Sequence, residues 1–60
     1  MEYRVEVVIE HNINSYDSYS EYFETLAEAR RFVKQVDDGD PGDKVSIYID
    51  DTLWREYKVD

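Results

Sequence analysis

From its first residues the chain alternates. Tyr3, Val5, Val7 and Ile9 fall on one side, and Glu2, Arg4, Glu6, Val8 and Glu10 on the other. A period of two is that of a strand with one face buried, so a first strand is predicted from about Glu2 to Glu10. The stretch from His11 to Ser18 is rich in Asn, Ser and Asp and reads as a long loop. A second strand is predicted from about Tyr19 to Glu24. There Tyr19, Glu21 and Phe23 share a face while Ser20 and Tyr22 take the other, a mixed pattern that suits an edge position or a bulge.

The period then changes. Leu26, Ala29, Phe32, Val33 and Val36 recur at helical spacing, with Arg30, Arg31 and Lys34 on the opposite side, which predicts an amphipathic helix. Thr25-Leu26-Ala27-Glu28 is a capping box. The Thr25 hydroxyl can accept the Glu28 amide, and Glu28 can reach back to the amide of Thr25. The basic residues lie toward the negative end of the helix dipole. Gly39 is placed to end the helix in a left-handed conformation, and Pro41 forbids its continuation.

A third strand is predicted from about Lys44 to Asp50, with Val45, Ile47 and Ile49 on one face and Ser46 and Tyr48 on the other. A fourth runs from about Leu53 to Val59. A three-residue loop, Asp50-Asp51-Thr52, would pair Leu53 with Ile49 and Tyr57 with Val45, keeping apolar residues together. Two hairpins flanking one helix give an α+β, ββαββ fold, with the helix packed on a four-stranded antiparallel sheet in the order 2-1-3-4. The expected core is Tyr3, Val5, Val7, Ile9, Phe23, Val45, Ile47, Ile49, Leu53 and Tyr57, closed by Leu26, Phe32, Val33 and Val36. With 60 residues, a single domain spanning 1–60 is expected, burying only roughly 60% of the surface its unfolded chain exposes.

One helix covers one sheet face. The other is expected to carry Val8, Tyr22, Tyr48 and Trp54 among Glu2, Glu6, Glu10, Ser46 and Glu56, with Tyr48 directly across from Trp54. Exposed aromatics on a small domain suggest a self-association face, so a homodimer is an expectation. Either edge strand could also pair with a twin. There is no cysteine and one histidine, so disulfides and a Cys/His zinc site are excluded.

Charge narrows the functional classes. Seven Lys+Arg stand against 15 Asp+Glu, net −8. Direct binding to nucleic acid or to an anionic membrane is therefore not expected; a cationic protein is the natural partner. High charge invites a disordered reading, but 15% aromatic residues and the clean alternations oppose it. Met1 leads straight into a charged alternating segment, so no leader is expected. No apolar run approaches the length of a membrane span, and a cytoplasmic setting is expected.

No catalytic constellation emerges, and the chain is not expected to be an enzyme or to hold a cofactor. His11 sits among Asn residues, and Ser15, Ser18 and Ser20 lack a nucleophile-elbow pattern. The run Asp37-Asp38-Gly39-Asp40-Pro41-Gly42-Asp43 is out of phase with a calcium loop and reads as a solvated turn; no metal site is expected. The acids themselves are the better clue. Glu2, Glu6 and Glu10 repeat along one strand face at roughly 13 Å, and Glu56 could join them. Asp37, Asp38, Asp40, Asp43, Asp50 and Asp51 add charge at loop ends. Fixed carboxylates on a rigid sheet could enter the basic groove of a DNA-binding protein, although acidity also serves solubility.

The order strand, Phe23-Glu24-Thr25-Leu26-Ala27-Glu28-Ala29, helix, strand resembles small host-takeover proteins of bacteriophages. The resemblance spans roughly residues 19–50. It implies an acidic inhibitor, in some cases a DNA mimic, bound to a basic nucleic-acid-binding protein in the host cytoplasm. It carries over no individual functional residue. The alternative from the residues alone is a non-mimetic interaction module using the aromatic sheet face.

Overall fold

The alternating segments form strands and the 3.6-period segment forms a helix. A computed structural model describing residues 1–60 contains β1 (Tyr3–Asn12), β2 (Ser15–Phe23), α1 (Leu26–Gln35), β3 (Lys44–Ile49) and β4 (Thr52–Lys58). All neighbouring strands are antiparallel, in the order β2-β1-β3-β4. The crossover through α1 carries the chain past β1, so the two hairpins meet along β1 and β3. This is the ββαββ architecture and strand order that the pattern predicts.

Register follows from burial. β1 and β3 pair Val5 with Ile49, Val7 with Ile47 and Ile9 with Val45. These positions stack under α1, where Ala29, Val33 and Val36 complete the buried core. Val5, Val7, Val45 and Ile47 are fully buried, each contributing roughly 1.5–3 kcal/mol relative to exposure. Phe23 and Phe32 close one end, their ring centroids 5.2 Å apart.

Several local expectations are corrected. Residues 11–18 are not a loop. β1 runs on to Asn12, β2 starts at Ser15, and only Ile13 and Asn14 make the turn. The Asn14 amide donates to Asn12 Oδ1 at 2.9 Å, an Asx turn. His11 is an extra residue, since Glu10 pairs with Tyr16 and Asn12 with Ser15. Both faces of β2 are exposed from Ser15 to Tyr22, so this strand needs no apolar alternation. Its ladder with β1 holds it.

The helix does not end at Gly39. Its last residue is Gln35, and Val36, extended at φ −62° and ψ 131°, caps it with its amide on the Phe32 carbonyl. Arg55 replaces the expected glycine cap by donating to the carbonyls of Val33 at 2.8 Å and Val36 at 2.9 Å. Gly39 is required elsewhere. It has φ +101°, and a Cβ there would lie 3.0 Å from Val59 and 3.2 Å from Val45. At the other helix end, Thr25 Oγ1 accepts the Glu28 amide as expected. Glu28, however, takes the Thr25 hydroxyl rather than the Thr25 amide.

The β3–β4 connection has two residues, not three. Asp50 and Asp51 both adopt positive φ, 47° and 68°, the tight turn whose twist matches the flanking strands. Ile49 therefore pairs with Thr52 and Tyr48 with Leu53, while Tyr57 still pairs with Val45. Since Ile47 pairs with Arg55, Trp54 is the extra residue of a bulge.

That bulge moves two side chains. Leu53 leaves the expected core and is 50% exposed. Trp54 leaves the open face: its ring lies 5.3 Å below the Arg30 guanidinium of α1. Leu26 is also at the surface rather than in the core.

Candidate functional site

The ladder pairings place side chains of the uncovered face in rows running from β2 to β4. The first holds Tyr16, Glu10, Lys44 and Lys58. The second holds Ser18, Val8, Ser46 and Glu56. The third holds Ser20, Glu6, Tyr48 and Leu53. The last holds Tyr22 and Arg4. Tyr16, Tyr22 and Leu53 are 68%, 61% and 50% exposed. The middle is low, because Ser46 is buried and its hydroxyl reaches Glu56 at 3.4 Å. A depression of about 380 Å³ opens beside the hairpin tip, lined by Val8, Glu10, Asn12, Ile13 and Tyr16.

Three carboxylates on this face, Glu6, Glu10 and Glu56, stand among three cations, Arg4, Lys44 and Lys58. Glu10 is level with Lys44, and Lys44 Nζ lies 3.6 Å from Glu56. The signs therefore balance. Arg4, Lys44 and Lys58 were visible in the alternation itself, having the same parity as the acids; Tyr16 was not, because it falls in the segment read as a loop.

The ten acids named from the sequence fall in three places. Glu6, Glu10 and Glu56 lie on the uncovered face, and Glu2 is exposed just before β1. Asp50 and Asp51 form the β3–β4 turn, where Asp50 accepts the Arg4 amide at 3.0 Å and Asp51 pairs with the Arg4 guanidinium. Asp37, Asp38, Asp40 and Asp43 lie on the helix side. There the Tyr19 hydroxyl donates to Asp38. Asp17 and Glu21 of β2 share that side, level with Ile9 and Val5. Of the named aromatics, Tyr22 and Tyr48 are on the uncovered face with Val8, and Trp54 is not.

The helix-side acids have one basic partner, a histidine. None of Asp17, Glu21, Asp37, Asp38, Asp40 and Asp43 forms an ion pair with Lys or Arg, while His11 bridges two of them, Nε2 to Asp17 at 2.7 Å and Nδ1 to Asp43 at 3.0 Å. Those two hydrogen bonds, Asp17 first, raise the His11 pKa above its ordinary value. Asp43 is 5% exposed. It accepts the Asp40 amide at 2.8 Å, and that bond, aided by His11, lowers its pKa against the opposing effect of burial. Burial, then the bond to Asp38, pushes the Tyr19 hydroxyl well above the usual tyrosine range.

No group of three or more His, Cys, Asp or Glu is arranged to hold a metal ion. No helix is long and apolar enough to cross a membrane. No protein-family model, curated protein or solved structure matches the chain.

Proposed function

We propose that this chain is a non-catalytic protein-binding module that acts through the uncovered face of its sheet. The observation that carries the reading is that face itself. It leaves Tyr16, Tyr22 and Leu53 half or more exposed, within a surface of balanced sign. Tyrosine supplies large contact area at low entropic cost and is enriched among residues that dominate binding energy. A face with equal numbers of cations and carboxylates suits a partner of mixed charge better than a polycation. A cytoplasmic setting belongs to the same proposal.

A second reading is favoured by the helix-side acids. Six carboxylates with no Lys or Arg paired to them would suit an inhibitor that occupies the cationic groove of a nucleic-acid-binding protein, as the bacteriophage resemblance implies. The charge on the uncovered face gives this reading little help, because Arg4, Lys44 and Lys58 interrupt it.

Capture experiments with three proteins separate the two readings: wild type, Tyr22→Ala/Leu53→Asp and Glu21→Gln/Asp37→Asn/Asp40→Asn. The module reading expects the first variant to lose the wild-type partner and the second to retain it. It also expects wild-type capture to survive about 0.5 M salt, where exposed charges are screened. Loss in the amide variant alone, with steep salt sensitivity, overturns the module reading in favour of the acidic inhibitor.

A further inference from the structure

We infer that the uncovered face binds a second copy of this chain, stacked face to face about a two-fold axis that runs parallel to the strands between β1 and β3. The inference rests on the reading of that face as a binding surface and names its partner. It stands on charge complementarity within the rows of the sheet.

Such an axis exchanges β1 with β3 and β2 with β4 while keeping each row level. Glu10 then lies over Lys44 of the second copy, and Lys44 over its Glu10. Glu6 lies over the Tyr48 hydroxyl and Glu56 over the Ser18 hydroxyl of the second copy. Arg4 comes over the opposite Asp50-Asp51 turn. Every carboxylate of the face meets a donor, and no like charges are opposed. Aligned stacking of two sheets about 10 Å apart is an established packing mode.

The other two-fold stacking is worse. An axis across the strands would invert the rows, laying Glu6 over Val8 and Glu56 over Leu53 of the second copy. Glu6 would be dried against an apolar group with no partner, which is costly, and Glu56 would keep only Ser46 and Lys44 of its own chain. A helix covering only one side of the sheet in a 60-residue chain also leaves a core that a second copy would double.

The test is a charge exchange read by sedimentation over a concentration series. Wild type is expected to dimerise. Glu10→Lys alone and Lys44→Glu alone each oppose like charges across the interface, so each should self-associate more than about tenfold more weakly. An equimolar mixture of the two variants should recover a dimer, since both contacts are then attractive. The crosswise axis gives no such rescue, because Glu10 would face Arg4. A monomeric wild type, or a mixture that stays monomeric, overturns the inference.

Circular dichroism checks that the variants fold. If they do not, hydroxyl-radical footprinting of wild type decides: Leu53, which faces Ser20 of the second copy, and Tyr16, which faces its Lys58, should become protected as concentration rises, and concentration-independent labelling overturns the inference. A monomeric wild type whose Tyr22→Ala/Leu53→Asp variant still loses a captured partner removes the dimer and leaves the module reading standing.

Discussion

His11 shows how far a single side chain can depart from what its neighbours in sequence suggest. It lies in a polar segment, but it continues the series Val5, Val7, Ile9 on the helix side of β1 and there joins Asp17 to Asp43. Its partners are six and 32 positions away, so no local pattern could reveal the bridge. Asp43, read as a surface acid, is a buried acceptor for the same reason. The raised His11 pKa has a definite sign. The bridge contributes its full stability below the ordinary histidine value of about 6.5 and loses it as pH rises through the higher folded value. The depressed Asp43 contribution is present above about 3.8 and is lost as pH falls through its lower folded value. The stability difference between wild type and His11→Gln should therefore be greatest between these limits and shrink as pH rises above the upper one. Urea unfolding at several pH values measures it. An NMR titration midpoint for His11 at or below 6.5 would contradict the bridge.

Among the elements, α1 was legible at its start and not at its end. Thr25 and Glu28 are three residues apart, and the capping box they form is a local signal. The helix is closed instead by Arg55, which reaches the carbonyls of Val33, Lys34 and Val36 from β4 and stacks on Tyr57 with its guanidinium 4.5 Å from the ring centroid. Arg55→Met should leave those carbonyls without their donor and destabilise the fold by about 1–3 kcal/mol. Arg55→Lys should recover part of the loss, as measured by urea unfolding; an unchanged midpoint in both variants would mean that water serves the helix end equally well. The β3–β4 hairpin was half legible. Tyr57 opposite Val45 follows from the apolar pattern, whereas the choice between a two-residue and a three-residue turn depends on Asp50 and Asp51 accepting positive φ. That choice decides which face Leu53 and Trp54 occupy.

For the molecule as a whole, the division into a dry side and an open side was legible because alternation encodes it directly. The grouping of acids was not, since it depends on where the 37–43 loop crosses the helix side of the sheet. The dry side is small, with eight buried apolar residues, and domains this size are stable by only a few kcal/mol, at roughly 0.05–0.15 kcal/mol per residue. Ile47→Ala should remove about 2–5 kcal/mol, enough to unfold a large share of molecules at room temperature. Leu53→Ala, at a half-exposed position, should cost about 1 kcal/mol or less in dilute protein. Equal losses for the two would place Leu53 back in the interior. The bulge in β4 has one more consequence. The chain has a single tryptophan, and its indole rests against Arg30 of the helix. Its emission spectrum is thus a built-in reporter of whether the helix sits on its sheet, and quenching by iodide should track undocking of the helix while staying indifferent to whatever touches the far side.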